Sequence, residues 1–226
     1  MVLRHAQTIW NAEGRWQGHA DPPLSDLGKS QCLQASPALG EEGFDLVITS
    51  DLLRARHSGE LLAGAWGWPV EMAVEPPLRE RDIGAWSAMT ASEIRELWPE
   101  EFAAFTSDEG NTSPGGEPLD GFDERAVEAL RRVDEFVARA GRTRALVVTH
   151  GGLIRSLIRR ADMERRPVGN LSGGWVEVDG RDLRLARCVD LLRTGAATAA
   201  STPTTGPSTA GGVTTHTDPG SHPACL

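Results

Sequence analysis

The hydropathy pattern of the chain contains two short, almost wholly apolar runs, at residues 45–49 and 145–149. Runs of this length without alternating polar positions predict strands that are buried on both faces of a sheet. A shorter apolar segment, residues 1–3, precedes Arg4 and His5. It predicts a first strand that ends on a basic residue and an imidazole. Further strands are predicted at residues 70–74, 175–178 and 183–188, the last two as a hairpin around Asp179-Gly180.

The segments between these strands show helical periodicity. An amphipathic helix is predicted over residues 122–140, where apolar side chains recur at spacings of three and four: Val127, Leu130, Val133, Phe136 and Val137. Other helices are predicted at residues 26–36, 52–66, 91–98, 100–105 and 153–160.

The helix predicted at residues 26–36 carries specific expectations. Ser25 has the side chain of an N-cap, and Pro37 is expected to end or kink the helix. The inner face is expected to carry Leu27, Cys32 and Leu33.

Strands that alternate with helices indicate the α/β class, as a three-layer sandwich with a mostly parallel central sheet flanked by helices. Residues 1–192 are expected to form this one domain. Residues 193–226 are rich in Thr, Ala, Gly and Pro and almost free of large apolar side chains, which predicts a disordered low-complexity tail. Two polar segments are expected to be functional or mobile loops, at 6–25 and 107–116.

Composition narrows the class of protein. The chain has 226 residues and a net charge of −9, which argues against nucleic acid or an anionic membrane as a partner. It lacks a signal-peptide pattern and any apolar run near the roughly 20 residues of a membrane span. Cys32, Cys188 and Cys225 are widely spaced and form no metal-ligand motif, which favours reduced thiols and a cytoplasmic protein.

Polar side chains follow the predicted strands in four segments: Arg4-His5, residues 50–54, residues 79–81, and residues 149–151. The carboxyl ends of parallel strands meet at one edge of a sheet, so these groups are expected to converge. An imidazole can attack phosphorus, guanidinium groups match phosphate oxygens, and a carboxyl group can protonate the leaving alkoxide. The set therefore indicates phosphoryl transfer through a covalent phosphohistidine.

The motifs that carry this chemistry occur in a fixed order. They are Leu3-Arg4-His5-Ala6-Gln7-Thr8 with Asn11, Arg15-Trp16-Gln17-Gly18, Thr49-Ser50-Asp51-Leu52-Leu53-Arg54-Ala55, Leu78-Arg79-Glu80 with Gly84 and Trp86, Pro114-Gly115-Gly116-Glu117, and Val148-Thr149-His150-Gly151-Gly152. In this order the chain resembles the histidine phosphatase superfamily, on its phosphoglycerate mutase-like branch. The resemblance implies the phosphoglycerate mutase-like fold and an enzyme that needs neither a metal nor another cofactor.

The resemblance also implies roles for individual residues. His5 would be the phosphorylated nucleophile and Glu80 the general acid/base, with Glu75, Asp82 and Glu117 as competing carboxylates. The remaining residues implied in phosphate binding are Arg4, Asn11, Gln17, Gly18, Arg54, His150 and Gly151. Two residues are candidates for substrate specificity, Arg81 and His19, and His19 is equally compatible with a solvent-facing position.

Several features separate a phosphatase from a mutase. Mutases resemble one another in a Glu-Arg-His-Tyr-Gly segment, whereas residues 80–84 read Glu-Arg-Asp-Ile-Gly and the chain contains no Tyr. Residues 107–121 also contain no Lys or Arg. We therefore expect a phosphomonoesterase that hydrolyses a small phosphorylated metabolite, with a cofactor-dependent phosphoglycerate mutase as the alternative.

An alternative of another class is a catalytically weak family member that acts as a binding or regulatory module. Only four residues precede His5, so the first strand is expected to be clipped, which puts stability in question more than chemistry. The oligomeric state is left open, with a homodimer as one option.

Overall fold

The computed structural model describes residues 1–107, 112–161, 163, 167–179 and 182–192. Within them, six strands form one sheet in the order β3-β2-β4-β1-β5-β6. The strands are β1 Val2–Arg4, β2 Leu46–Thr49, β3 Glu71–Val74, β4 Leu146–Thr149, β5 Ser172–Asp179 and β6 Asp182–Asp190. The first four in this order are parallel, and β5 and β6 add an antiparallel edge.

The inner strands are buried on both faces, as the apolar runs predict. Leu46 and Ile48 point to one apolar cluster while Val47 points to the other. Neighbouring positions of β4 alternate in the same way, with Val147 on one side and Val148 on the other. Because successive side chains of a strand point to opposite faces, a strand without polar positions needs a cover on each side.

Helices provide that cover in two layers. The described residues contain α1 Ile9–Ala12, α2 Asp26–Gly40, α3 Leu53–Ala63, α4 Ala91–Leu97, α5 Pro99–Thr106, α6 Leu119–Arg139 and α7 Gly151–Arg160. Buried residues of α6 and α7 pack in one cluster, and those of α2 and α3 in the other. The α/β three-layer sandwich with a mostly parallel sheet is therefore confirmed.

Helix α2 departs from the prediction at two points. Ser25 does cap it, accepting a hydrogen bond from the Gly28 N–H at 3.0 Å, but the helix does not end at Pro37 and continues to Gly40. The inner face is also different, because Leu27 and Leu33 are each 55% exposed. The buried residues of the helix are Gly28, Cys32, Ala35, Ser36 and Leu39. Small side chains at four of these positions let α2 lie close to its neighbours, which hydropathy alone does not reveal.

A third apolar cluster lies apart from the sheet, and we call it the lid core. Its buried members are Ile83, Trp86, Ile94 and Phe102, with Trp16, Met89, Ala91, Trp98 and Phe105 packed against them. The Trp16 N–H donates to the Met89 carbonyl at 2.8 Å, which joins the segment before Gln17 to the segment after Glu80. The lid core therefore fixes two of the predicted site loops relative to each other.

The strand that carries His5 is as short as expected, with three residues, but it lies inside the sheet between β4 and β5. Its backbone pairing extends beyond the strand, because the His5 N–H donates to the Thr149 carbonyl at 2.9 Å. The predicted hairpin is present as β5 and β6, and its turn lies outside the described residues.

The predicted tail at 193–226 and part of the predicted 107–116 loop, residues 108–111, also lie outside the described residues. The remainder of that loop lies against residues 84–85, where the Ala85 N–H donates to the Pro114 carbonyl at 2.9 Å, and Ser113 is 2% exposed. Across the ranges that the structure describes, no helix is both long enough and apolar enough to span a bilayer.

The face of α2 can be tested with two matched substitutions. Leu39→Ala removes a fully buried side chain and should lower the free energy of unfolding by about 2–5 kcal/mol. Leu33→Ala on the same helix removes an exposed side chain and should change it by less than about 0.5 kcal/mol. Urea unfolding measures both values, and equal losses would contradict the observed face.

Candidate active site

His5 lies at the carboxyl end of β1 and is 2% exposed. Its Nδ1 is 2.7 Å from the carbonyl oxygen of Ala6. A carbonyl oxygen only accepts, so Nδ1 carries the proton and Nε2 keeps its lone pair. Burial, then the charges of Arg54 and Arg4, lower the pKa of His5 well below its ordinary 6.5. The ring is therefore neutral at pH 7 and can act as a nucleophile through Nε2.

His150 follows β4 and its ring centroid lies 5.3 Å from that of His5. Its Nε2 is 2.7 Å from the Ser50 hydroxyl, which also accepts a hydrogen bond from the Leu52 N–H. That arrangement favours donation from the hydroxyl to Nε2, which leaves the proton of His150 on Nδ1. Nδ1 is buried and has no hydrogen-bond partner among the described residues. Burial lowers the pKa of His150 well below its ordinary value as well, and the charge of Arg54 lowers it further.

Arg54 is 1% exposed, which is unusual for a guanidinium. Nη1 donates to the Ala20 carbonyl at 2.7 Å and Nη2 to the Gly18 carbonyl at 2.8 Å. Asp21 lies 3.7 Å away and also accepts from the Leu53 N–H. Burial lowers the pKa of Arg54 to about 10, so the side chain stays charged at neutral pH.

Arg4 is the second guanidinium of the site, and its Nη1 donates to the Val168 carbonyl at 2.6 Å. Burial lowers its pKa to about 10 too. In the part of the chain that the structure describes, the Nε atoms of both Arg4 and Arg54 are buried without a partner. Buried donors are almost always satisfied, so these two indicate a site for an anion.

Asn11 is positioned by a capping box at the start of α1, a short helix inside the segment expected to be a loop. Its Oδ1 accepts from the Thr8 N–H at 3.2 Å and from Asn170 at 3.2 Å, so its amide NH2 remains available. The Oε1 of Gln17 is buried and has no partner in the described ranges, and a flip of that amide would present a donor there instead.

Glu80 lies between the lid core and α7. Its two carboxylate oxygens accept from the Arg81 N–H at 2.9 Å and from the Gly152 N–H at 3.0 Å. A Cβ at residue 152 would lie 2.0 Å from Oε1, so only glycine leaves room for this carboxylate. The N–H of Gly152, at the start of α7, therefore holds the Glu80 carboxylate. The role of the Gly151 backbone next to a substrate anion stays a prediction.

The main chain of Glu80 is held from two further sides. Its carbonyl accepts from His19 Nε2 at 2.8 Å and from Arg125 Nη2 at 3.2 Å. Arg125 also binds the Pro77 and Arg79 carbonyls and pairs with Glu117. Glu117 thus belongs to the support of the acidic loop.

Known proteins share the sequence pattern and the fold of this chain. The model of the histidine phosphatase superfamily (branch 1) matches residues 1–190. The chain belongs to the histidine phosphatase superfamily.

Individual relatives of this chain include both mutase-like proteins and phosphatases. It is 35% identical to phosphoglycerate mutase-like protein 4 of Arabidopsis thaliana, over 79% of this chain and 77% of the relative. It is 32% identical to glucosyl-3-phosphoglycerate phosphatase of Mycolicibacterium vanbaalenii, over 80% and 83%. Its fold matches Bacillus stearothermophilus YhfR with a TM-score of 0.72 and 29% identity, over 82% of this chain and 94% of YhfR.

Most of the residues singled out from sequence come together in the structure. His5, His150, Arg4 and Arg54 share one pocket, and the charge of Glu80 acts on both arginines. Gly18 contributes its carbonyl and a positive φ of 50°, at a position where a Cβ would be 2.6 Å from Ile83.

The two specificity candidates have other contacts. Arg81 is 8% exposed, donates to the Glu117 carbonyl at 2.8 Å and lies over the Phe105 ring. His19 contacts the Glu80 carbonyl and lies 3.7 Å from Asp82. Their roles in specificity remain predictions.

Sequence reasoning missed Asn170 and Ser58. Asn170 Nδ2 donates to the His5 carbonyl at 2.9 Å, and the Ser58 hydroxyl accepts from the Ala6 N–H at 3.0 Å. Ser58 lies one helical turn after Arg54, and this spacing could have indicated that its side chain is on the same helix face as Arg54. Asn170 follows a glycine before β5, a turn pattern that does not indicate which group it meets.

The low pKa of both histidines predicts a pH dependence of stability. In the unfolded chain these imidazoles bind protons below about pH 6.5, whereas in the folded chain they stay neutral. The free energy of unfolding should therefore fall as the pH falls. His5→Gln and His150→Gln should each reduce this slope by up to about 1.4 kcal/mol per pH unit.

Chemical unfolding between about pH 7.5 and 5.5 measures the slope. The buried Met1 amino group, with a pKa lowered to about 5, gives a dependence of the same sign, so each variant is compared with wild type. Parallel curves for wild type and both variants would contradict neutral histidines.

Proposed function

We propose that the chain is a phosphomonoesterase that hydrolyses a small phosphorylated metabolite through a phosphohistidine on His5. The observation that carries the proposal is the fixed tautomer of His5, whose Nδ1 faces the Ala6 carbonyl at 2.7 Å. This bond directs the lone pair of Nε2 away from the backbone, in a pocket where the buried Nε atoms of Arg4 and Arg54 have no partner among the described residues.

In the first step, Nε2 of His5 attacks the phosphorus and the bond to the leaving oxygen breaks. The carboxyl group of Glu80 gives its proton to that oxygen. Arg4, Arg54 and the Nδ1–H of His150 stabilise the negative charge on the three equatorial oxygens. In the second step, Glu80 takes a proton from water, the water oxygen bonds to phosphorus, and the bond from phosphorus to His5 breaks.

We propose that this reaction uses neither a metal nor another cofactor. The buried groups that face the phosphate site are guanidiniums and imidazoles, with Glu80 as the carboxylate, and such a cationic set suits an anion better than a divalent cation. We also propose residues 1–192 as the catalytic domain, in a cytoplasmic protein whose partner is the substrate and neither nucleic acid nor a membrane.

The nucleophile can be identified with an aryl phosphate. Wild type should release the phenol and yield protein-bound, acid-labile phosphate after a rapid quench. His5→Ala should lose both signals, because the lone pair of the neighbouring imidazole, His150 Nε2, is bound by the Ser50 hydroxyl. Glu80→Gln should still form the phosphoprotein, because an aryl leaving group needs little acid, but should hydrolyse it about 10²–10⁴ times more slowly.

Glu75→Gln is the matched control, because Glu75 precedes the same loop and lies 3.9 Å from Arg132. It should retain wild-type rates. No turnover by a folded wild type would favour the binding-module alternative, and full activity of His5→Ala would exclude His5 as the nucleophile. Transfer to a phosphoglycerate at a rate equal to transfer to water would favour the mutase alternative.

A substitution at Gly152 tests whether the Glu80 carboxylate needs the space that this glycine leaves. Gly152→Ala should displace the carboxylate and lower the rate of phosphoprotein formation from an alkyl phosphate by about 10²-fold or more, with a much smaller effect on its formation from an aryl phosphate. In a Glu80→Ala background the same substitution should add little, because the displaced group is already gone.

Gly121→Ala is the control for a helical glycine. A Cβ at residue 121 meets nothing within 4 Å, so activity should stay constant and stability should stay equal or rise by up to about 1 kcal/mol. Equal losses in the rate of phosphoprotein formation from alkyl and aryl phosphates would contradict a role of Glu80 at the leaving group.

A further inference from the structure

Arg155 is an exposed residue in the second turn of α7, which begins directly after His150. Residues four apart share one face of a helix, so Arg155 lies on the same face as Gly151. Helical side chains lean toward the N-terminus of their helix, which here is the end that carries His150. The helix therefore directs Arg155 back toward the phosphate pocket.

The absence of a side chain at Gly151 leaves the space that this guanidinium uses. Nη1 of Arg155 lies 3.2 Å from the point that a Cβ of residue 151 would occupy. Cδ and Nε of Arg4 lie 3.5 Å from the same point. Two guanidiniums thus meet over one glycine, with Arg155 on the outer side and the phosphate-binding Arg4 on the inner side.

Among the residues that the structure describes, no carboxylate pairs with Arg155. Arg159, one turn further along α7, pairs with Asp123, and Arg125 pairs with Glu117. Over the residues that the structure describes, Arg155 makes no hydrogen bond or ion pair. Its charge also contributes to the lowered pKa of Arg4, after burial. Like charges this close repel, and an anion that contacts both would relieve the repulsion.

We infer that Arg155 is a specificity-determining residue that binds a second anionic group of the substrate, next to the phosphate held by Arg4. The inference rests on the proposed function. Arg155 selects phosphomonoesters that carry a carboxylate or a second phosphate close to the ester, because a guanidinium binds either group through paired hydrogen bonds. Arg81, the other arginine considered for this task, is directed toward the Glu117 carbonyl and the Phe105 ring.

The test compares three substrates that differ in their second anion. Glycerol 3-phosphate has none, 3-phosphoglycerate has a carboxylate, and 2,3-bisphosphoglycerate has a further phosphate. Wild type should prefer at least one of the last two. Arg155→Gln should lower kcat/KM for the preferred substrate by about 10- to 100-fold and change that for glycerol 3-phosphate less than about twofold. Arg155→Lys should recover part of the preference, because it restores the charge without the paired donors.

Arg160→Gln is the matched control, since Arg160 is an exposed arginine at the far end of the same helix, and it should leave all three rates unchanged. A loss for 3-phosphoglycerate identifies a carboxylate as the partner, and a loss confined to the bisphosphate identifies a phosphate. Equal changes on all three substrates, or a wild type without preference, would overturn the role of Arg155 while hydrolysis itself upholds the proposed function. A wild type that hydrolyses neither these substrates nor an aryl phosphate would overturn both.

Discussion

The parallel register between β1 and β4, with Arg4 opposite Thr149, brings together residues that are far apart in sequence. Both strands end at the same edge of the sheet, so His5 and His150 leave their strands side by side, and their ring centroids are 5.3 Å apart. The neighbouring strand β2 ends at the same edge and adds Ser50 through backbone pairing with Val148. The remaining parts of the site are positioned relative to this pair.

The site keeps polar groups buried without partners, which is a cost in the folded protein. Burial lowers the pKa of both histidines and of both arginines, because each charged form loses contact with water. The result is a pair of neutral imidazoles beside charged guanidiniums whose Nε atoms have no partner among the described residues. An anion that enters this pocket meets donors that are already oriented, which is the condition for strong electrostatic stabilisation of a transition state.

Close backbone approach limits the choice of residue at several positions around the site. Gly152 makes room for the Glu80 carboxylate, and Gly151 makes room for Arg155 beside Arg4. Gly28 lets α2 contact the loop after His5, where a Cβ would lie 2.0 Å from the Gln7 carbonyl. The lid core links the loop of Gln17 to the loop of Glu80. The loop of the general acid therefore packs in a different apolar cluster from the strands that carry the phosphate-binding residues.

The strands and most helices of this protein follow from local patterns, because a buried strand must be apolar on both faces and an amphipathic helix must repeat every three or four residues. The convergence of His5, Arg54 and His150 also follows from sequence, since strand ends in a parallel sheet share an edge. Only the tertiary structure decided which face of α2 is buried, that Asn170 reaches the His5 carbonyl, and that Gly152 binds Glu80. These three features are contacts between segments that are far apart in the sequence. Hydropathy and residue spacing describe each segment separately, so they do not predict such contacts.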